Sequence, residues 1–358
     1  MPYTIPIGPY HPSMEEPYKI SVTCQGETIH DVAIDIGFSF RAIELLAQRR
    51  NYVQDLVLVE RVCGICSGVH TMTFAMAAEA LLELDVPARA QYIRVIISEL
   101  ERLHSHLLWA GIAAEDIGFQ TMFMEIFALR ERVMDALEAI SGNRVHYAMN
   151  CIGGVNNDIT DPDALLAAMR DIKQALEQVV MPVFTRNPTV RARMVGVGML
   201  TKEQAIADGV VGPFARASGL DADIRSEHPV YQALGFKTVV EHGGDVFARV
   251  LVRAFEMLES ARLIEQALHN LPAGPLCAPG GPFTVVPEGE VTVRSEAPRG
   301  ELLYYLQGNG TDHPARVKIR TPSYVNIPAV EPMALGQQLG DLPLIQASLD
   351  PCCSCTDR

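Results

Sequence analysis

Two pairs of cysteines carry the strongest chemical signal in the sequence. Cys63 and Cys66 form one C-x-x-C pair, and Cys352 and Cys355 form a second pair near the end of the chain. Thiolates are soft ligands, so four of them favour zinc, an iron–sulfur cluster, copper(I) or nickel. The fold must then return the last residues to the start of the first long helix. On spacing alone, the cysteine pattern is at least as consistent with a zinc site that only anchors the chain end as with a catalytic centre.

The residues beside the first pair extend this signal. His70 lies one helical turn beyond Cys66 and on the same helix face, where an imidazole N–H is placed to bond the sulfur. Arg61 precedes Cys63 by two residues and is placed to compensate thiolate charge. These flanks predict a buried, charge-balanced site.

Composition limits the classes of function. The chain has 358 residues, 48% of them hydrophobic and 20% charged, which is enough for a sizeable core in one large or two ordinary domains. A net charge of -14 disfavours binding to nucleic acid or to an anionic membrane through bulk charge. We find no secretory signal and no uninterrupted apolar run of about 20 residues. We therefore expect a soluble chain, which is compatible with docking on a membrane partner.

The patterning predicts helices in the centre of the chain. Alternation from Tyr18 to Ile36 is typical of a β-hairpin, and Gly37 to Asn51 resembles a short helix. Apolar residues recur at helical spacing from Cys66 to Ile140, with breaks that indicate three long helices. Asp161 and Pro162 open a further helix to about Val180, and another is expected from about Gly244 to Asn270.

The region after these helices has β character. Residues 302–306 and 316–320 flank a Gly-Asn-Gly loop and predict a second hairpin. The expected fold class is α+β and mostly α, with a bundle of long helices between small β elements. We expect one domain over residues 1–358. It comprises an N-terminal β element (1–36), a helical core (37–270), a β-containing segment (271–330) and a metal-binding tail (331–358).

Six motifs in a fixed order resemble the large, catalytic subunit of nickel-iron hydrogenases. The match is strongest to the energy-converting, membrane-bound branch, which includes the Ech-type and carbon-monoxide-induced enzymes, and it covers nearly the whole chain. The motifs are Gly8-Pro9-Tyr10-His11-Pro12; Gly37-Phe38-Ser39-Phe40-Arg41 with Glu44; Arg-x-Cys-Gly-x-Cys with His70; Glu296-Ala297-Pro298-Arg299-Gly300; Thr321-Pro322-Ser323; and the final Asp-Pro-Cys-x-x-Cys.

The resemblance implies a nickel ion beside an iron ion that carries carbon monoxide and cyanide. It assigns Cys63 and Cys352 as terminal nickel ligands and Cys66 and Cys355 as bridging ligands. The implied reaction is 2H+ + 2e- ⇌ H2, in which H2 is split heterolytically and a base accepts the proton. Cys352 is our candidate for that base, because a metal-bound thiolate keeps a lone pair.

The resemblance also assigns supporting residues. Glu15 matches the family's proton-gate glutamate, although a one-residue slip in alignment would select Glu16. Arg299 matches the arginine above the open metal position, where a fixed cation polarises H2, and Asp350 is placed to orient it. Ser323, with Pro322 and Pro298 nearby, belongs to the pocket for iron-bound cyanide.

Glu44 matches a glutamate that in related enzymes binds magnesium or iron near the chain end. Other branches complete that second site with a terminal histidine, whereas this chain ends in Thr356-Asp357-Arg358. The departure weakens the expectation of a second metal.

The implied partners follow from electron transfer. The chain has no further cysteine pairs for a cluster of its own, so a partner subunit must carry one next to the nickel site. The resemblance implies that this partner is a small subunit with a [4Fe-4S] cluster. The resemblance adds a ferredoxin-like iron–sulfur subunit, membrane subunits that translocate ions, and ferredoxin as electron carrier. It therefore implies a peripheral position on the cytoplasmic face of the membrane.

Two alternatives stay open. The quinone-site subunit of respiratory complex I resembles the same fold family and shares the Ala-Pro-Arg-Gly turn, but it lacks the two cysteine pairs. A non-catalytic scaffold that holds zinc is the other. Metal content separates the three interpretations: nickel with iron, no metal, or zinc.

Overall fold

Long helices dominate the fold, as the sequence predicts. The computed structural model describes residues 1–12, 14 and 16–358. The α-helices are α1 (Ile43–Ala47), α2 (Tyr52–Glu60), α3 (Ser67–Leu81), α4 (Ala88–Asp116), α5 (Gln120–Ser141), α6 (Pro162–Ala175), α7 (Met181–Arg186), α8 (Pro188–Met194), α9 (Lys202–Ala207), α10 (Pro213–Arg216), α11 (Pro229–Ala233), α12 (Val246–His269), α13 (Pro322–Asn326), α14 (Val330–Ala334), α15 (Leu342–Leu349) and α16 (Cys353–Thr356).

The strands form small antiparallel sheets on either side of the helical centre. They are β1 (Tyr3–Ile7), β2 (Lys19–Gln25), β3 (Thr28–Asp35), β4 (Asn150–Cys151), β5 (Gly154–Val155), β6 (Gly289–Ala297), β7 (Gly300–Gly308) and β8 (Arg316–Arg320). The sheets have the orders β1-β2-β3, β4-β5 and β6-β7-β8. This confirms the α+β, mostly-α fold class and both predicted hairpins.

The three helices predicted from the periodicity are α3, α4 and α5. Helix α4 packs between α5 and α12, and their apolar faces form the main core. Asp161 caps α6 by accepting a hydrogen bond from the backbone N–H of Ala164, with Pro162 in the first turn. That helix continues through a π-helical turn to Val180 and directly into α7, so the helical segment extends to Arg186, beyond the end predicted near Val180.

The helix predicted over residues 37–51 is shorter than expected. Only Ile43–Ala47 is helical, because Ala42 adopts a left-handed conformation at its start. The preceding loop is instead held by Asp357, whose carboxylate accepts hydrogen bonds from the N–H groups of Gly37 and Ser39, each at 2.9 Å. A contact 320 residues away in sequence therefore overrides the local helix propensity.

The third sheet and the last helices bring the end of the chain to α3. Sheet β6-β7-β8 packs against α3 through β6 and β7. Helix α15 packs on α4 and α12 and ends at Asp350, which adopts a left-handed conformation with φ 59°. This turn reverses the chain immediately before Cys352. None of the described helices combines the length and hydrophobicity needed to span a bilayer.

Candidate metal centre

The four cysteines of the two pairs converge in one buried pocket. The Sγ atoms of Cys63 and Cys352 lie 3.5 Å apart, and those of Cys66 and Cys355 lie 3.4 Å apart. Each residue is at most 3% exposed. Candidate ligand atoms of Cys63, Cys66 and Cys355 lie within 4.8 Å of one another. Two chain segments 289 residues apart thus meet at one cluster of sulfur atoms.

The first pair sits where α2 ends and α3 begins. Cys66 directly precedes α3, so both sulfurs lie near the positive end of that helix, which favours thiolate. Hydrogen bonds from neighbouring thiols, Cys352 first, hold the pKa of Cys63 well below its usual range. The pocket therefore stabilises negative charge on the sulfur of Cys63. Although a hydrogen bond with Cys355 opposes this for Cys66 and Cys352, hydrogen bonds to the other thiols and burial hold the pKa of Cys66, Cys352 and Cys355 well above the usual range.

The side chain of Arg41 connects the two cysteine pairs, and that of Glu16 contacts the second pair. The guanidinium of Arg41 donates to the carbonyl oxygens of Val62 (2.8 Å) and Ser354 (2.6 Å), one beside each pair. Glu16 accepts hydrogen bonds from the backbone N–H groups of Cys353 and Ser354. Sequence analysis assigned no role to Arg41, although it closes the Gly-Phe-Ser-Phe-Arg motif.

His70 contacts the centre through a sulfur other than the expected one. Its Nε2 lies 3.6 Å from Sγ of Cys355, rather than bonding Cys66, and its Nδ1 lies 2.7 Å from the hydroxyl of Tyr304. Burial lowers the pKa of His70 to about 4, so the ring is neutral. Burial also raises the pKa of Tyr304 well above its usual value. The tyrosine therefore donates to Nδ1, and Nε2–H points at the sulfur.

Arg299 and Asp350 form the predicted pair beside the sulfurs. Nη2 of Arg299 lies 2.6 Å from Oδ1 of Asp350, and Nε donates to the Asp350 carbonyl at 2.9 Å. Nη1 donates to the hydroxyl of Ser105 at 3.2 Å. Although burial opposes its charge, the neighbouring Asp350 and the thiolates raise the pKa of Arg299 well above its usual value. A fixed cation therefore faces the cysteine cluster.

The turn that carries Arg299 needs its glycine. Gly300 has φ 129°, and a Cβ there would lie 2.8 Å from the Cα of Gly212. The backbone therefore packs directly on the start of α10, which fixes the buried Pro298 and Arg299. This explains the Pro-Arg-Gly motif as a close backbone approach.

Ser323 lies where a ligand pocket for the centre was predicted. Its hydroxyl oxygen accepts a hydrogen bond from the N–H of Cys352 at 3.1 Å, which leaves the hydroxyl hydrogen to donate elsewhere. Pro322 is buried at the first turn of α13. Thr321 donates to the carbonyl of Cys355 at 3.0 Å and anchors the second pair.

Arg61 does not face the thiols. Its side chain is 48% exposed, pairs with Glu60 and donates to the carbonyl of Val57. The prediction of charge compensation by Arg61 is wrong, because α2 ends there and the side chain folds back along the helix.

Glu15 lies outside the described residues. Its neighbour Glu16 is the glutamate observed at the second pair, and burial raises its pKa despite the opposing charge of Arg299.

Glu44, the residue of the predicted second metal site, is paired with cations of the protein. Its carboxylate lies 2.8 Å from Nζ of Lys318 and 3.2 Å from Nε of Arg358, and it also accepts from the N–H of Ile319. Arg358 stacks over the ring of Tyr324 as well. Both carboxylate oxygens of Glu44 therefore already have partners within the protein.

We expect this ion-pair set to replace a metal in function. Addition of Mg2+ should leave the melting temperature unchanged, whereas Glu44→Gln should lower the free energy of unfolding by about 1 kcal/mol. Thermal melts with and without Mg2+ or EDTA measure both effects. A Mg2+-dependent rise in the wild type that Glu44→Gln abolishes would restore the second metal site.

The donor set fits a nickel-iron centre. It combines four buried sulfurs, a facing guanidinium and a neutral imidazole aimed at one sulfur. Two other cysteines, Cys151 and Cys277, lie 3.5 Å apart near the surface and belong to a different part of the fold.

Comparison with known proteins decides the family. Residues 41–110, which include the first cysteine pair, match the family described as nickel-dependent hydrogenase. Residues 116–280 and 281–358 match the family described as the 49-kDa subunit of respiratory-chain NADH dehydrogenase. The chain is 42% identical to the carbon monoxide-induced hydrogenase of Rhodospirillum rubrum, over 99% of both chains. The chain belongs to the nickel-iron hydrogenase large-subunit family.

Its branch of this family is the one related to complex I. The chain is 42% identical to the membrane-bound hydrogenase subunit alpha of Pyrococcus furiosus, over 99% of this chain and 87% of that one. It is 37% identical to a subunit of the NADH-quinone oxidoreductase of Geotalea uraniireducens, over 97% and 96%. A chain of the membrane-bound sulfane sulfur reductase, an archaeal respiratory membrane complex, superposes with a TM-score of 0.93 at 32% identity, covering 99% and 98%. These matches confirm the predicted family and its relation to complex I.

Proposed function

We propose that the chain is the catalytic subunit of an energy-converting hydrogenase, which forms and oxidises H2 reversibly. In this proposal ferredoxin carries the electrons and membrane partners translocate ions. The observation that carries it is the convergence of four buried cysteine thiols beneath the buried Arg299–Asp350 pair. The wider family includes quinone oxidoreductases, so the cysteine set is the feature that favours hydrogenase chemistry.

A nickel-iron centre at these cysteines would supply the redox chemistry that splits H2 heterolytically and stores its electrons. Cys63, Cys66, Cys352 and Cys355 would hold it. Carbon monoxide and cyanide on the iron are part of the proposal, and the Ser323 hydroxyl would donate to cyanide. The fixed guanidinium of Arg299 would polarise the substrate without reorganisation.

Side chains of this protein would then accept the proton and transfer it away from the centre. Sγ of Cys352 accepts it first, close to Asp350 and Arg299. Glu16 is the carboxylate that contacts the backbone beside Cys352, through Cys353 and Ser354. We therefore place the start of the relay at Glu16.

Replacing Glu16 with glutamine is expected to lower H2 turnover about 10²-fold, because the amide does not titrate and cannot act as a proton acceptor and donor in turn. Glu15→Gln is the matched control, since it changes the adjacent residue in the same way. Turnover of purified complex with reduced ferredoxin measures both. The reverse pattern, a loss only in Glu15→Gln, would restore Glu15 as the relay residue.

The electrons require a partner with an iron–sulfur cluster beside the centre. Large apolar side chains are exposed on the segments around the first cysteine pair: Phe40 (69%) and Val57 (54%). An exposed apolar surface next to a redox site favours a subunit interface. We propose that a small subunit with a [4Fe-4S] cluster binds there, followed by a ferredoxin-like subunit. A relative described as membrane-bound supports placing the complex on a membrane, and the cytoplasmic face is part of the proposal.

Metal analysis of the purified complex, together with infrared spectroscopy, tests the proposal. We expect nickel at about one per chain and bands from iron-bound carbon monoxide and cyanide. One zinc per chain would support a structural scaffold, and absence of metal with quinone reduction would support a complex I-like role.

A further inference from the structure

A cluster of buried charges lies in the core outside the cysteine pocket. Its four carboxylates belong to Glu99, Asp223, Glu256 and Glu296, and its three guanidiniums belong to Arg102, Arg216 and Arg225. These side chains are at most 2% exposed. Arg216 connects the centre of the cluster, because its guanidinium lies 2.7 Å from Glu256 and 2.8 Å from Glu296. We call this set the charged cluster.

The charged cluster has one more carboxylate than guanidinium. His106 bonds Glu256 at 2.9 Å, but burial lowers the pKa of His106 to about 4, so it adds no charge near neutral pH. Although burial opposes ionisation, the arginines hold the pKa of Glu99, Asp223 and Glu256 below the usual carboxyl value. Burial and then the charge of Asp223 raise the pKa of Glu296 to about 7. The excess negative charge is thus relieved by a proton on Glu296.

Glu296 has a route to solvent. It lines a cavity of about 360 Å³ together with Arg225 and Tyr231. The same cavity reaches Arg294 and Glu227, whose side chains are 44% and 62% exposed. Glu296 therefore stands between the buried cluster and the outside of the protein.

The other end of the cluster approaches the cysteine pocket. On α12, Arg253 lies one turn before Glu256 and feels the charges of Asp350 and Arg299 as well as those of Glu256 and Arg216. On α4, Ser105 accepts from Arg299, and its neighbour His106 bonds Glu256. Oδ2 of Asp350 and Nδ1 of His106 are buried without a hydrogen-bond partner among the described residues. Such atoms are the usual partners of internal water, which carries protons between fixed groups.

We propose that the charged cluster is a second proton-transfer route, joining the Arg299–Asp350 pair to the cavity, with Glu296 as the group that exchanges protons with solvent. This inference rests on the proposed hydrogenase function. During H2 oxidation Glu296 releases the proton to the cavity, and during H2 formation it takes one up. Only a proton moves along this route, so no electron donor or acceptor is needed.

The charged groups around Glu296 determine the pH at which its carboxyl group titrates. Arg216, Asp223, Arg225 and Arg102 face it from the cluster, with Glu79 on α3 across the cavity and Glu301 opposite on β7. Glu79 and Glu301 are each paired with arginine, so Asp223 is the main neighbour that favours the protonated form.

Glu296→Gln tests the route because it keeps the side chain's size and its oxygen acceptor for Arg216. We expect H2 turnover and the exchange of D2 with water protons to fall about 10- to 100-fold at neutral pH. Nickel content and the infrared bands of the centre should stay unchanged. Glu290→Gln, an exposed position on the same strand, is the matched control and should leave all of these values as in wild type.

A readout independent of turnover is the infrared carbonyl stretch of a protonated carboxyl group. In the wild-type complex this band should titrate near pH 7 and should be absent in Glu296→Gln. If that variant does not assemble, Glu296→Asp should retain exchange and shift the band. Wild-type exchange in Glu296→Gln, or a band unaffected by either variant, overturns the inference. Absence of nickel or turnover in the wild type would instead overturn the proposed function.

Discussion

Serine in place of any one of Cys63, Cys66, Cys352 or Cys355 is expected to reduce nickel content to below about one tenth and to abolish H2 turnover. A serine hydroxyl is a hard donor that stays protonated near neutral pH, whereas the buried thiols are positioned to ligate as thiolates. Because the sulfurs join segments 289 residues apart, loss of one also weakens the attachment of α16 to the start of α3.

Elemental analysis and H2 turnover of the purified complex measure this effect. Cys277→Ser is the matched control, since Cys277 is exposed and contacts Cys151 instead of the pocket. We expect wild-type nickel and turnover in that variant. Full nickel content and turnover in Cys355→Ser would show that the cysteine cluster is not the metal centre.

The apolar periodicity predicted the long helices, but it did not predict that charged residues on them are buried. In α4, Glu99, Glu101 and Arg102 occur between the apolar positions and resemble a solvated face. All three are buried, because α4 is covered by α5 on one side and α12 on another. Periodicity reports one apolar stripe, whereas burial on several sides depends on elements far away in sequence. The sequence pattern therefore could not predict the charged cluster.

The residues of the candidate site were also predicted only in part from the sequence. The resemblance identified the four cysteines, Arg299 and Asp350 because their motifs are specific, and the structure brings these residues together. Arg61 was chosen only for its distance from Cys63 along the chain, and it points away because a helix ends there. Arg41 was overlooked in this role, since its partners are backbone carbonyls that no side-chain pattern reveals.

Arg299→Lys is expected to lower H2 turnover by about 10²- to 10³-fold while leaving nickel in place. The guanidinium is held at three points, by the carboxylate and carbonyl of Asp350 and by the hydroxyl of Ser105. A lysine ammonium keeps the charge, but it lacks the planar fork that makes these contacts together. Lysine is preferred to alanine, because alanine would leave Asp350 buried and unpaired, which costs about 3–5 kcal/mol in comparable pairs.

The comparison that isolates this effect is Arg294→Lys, at a surface arginine of β6 that pairs with Glu227 and Glu301. Turnover measured over a range of H2 concentrations separates kcat from KM, and infrared bands report the state of the centre. A fall in kcat with unchanged bands and nickel would mean that Arg299 acts on the reacting gas. A rise in KM alone would mean that it only shapes access, and the polarising role assigned to this guanidinium would then be wrong. Asp350→Asn should reproduce the kcat effect in weaker form, because it loosens the same guanidinium without removing it.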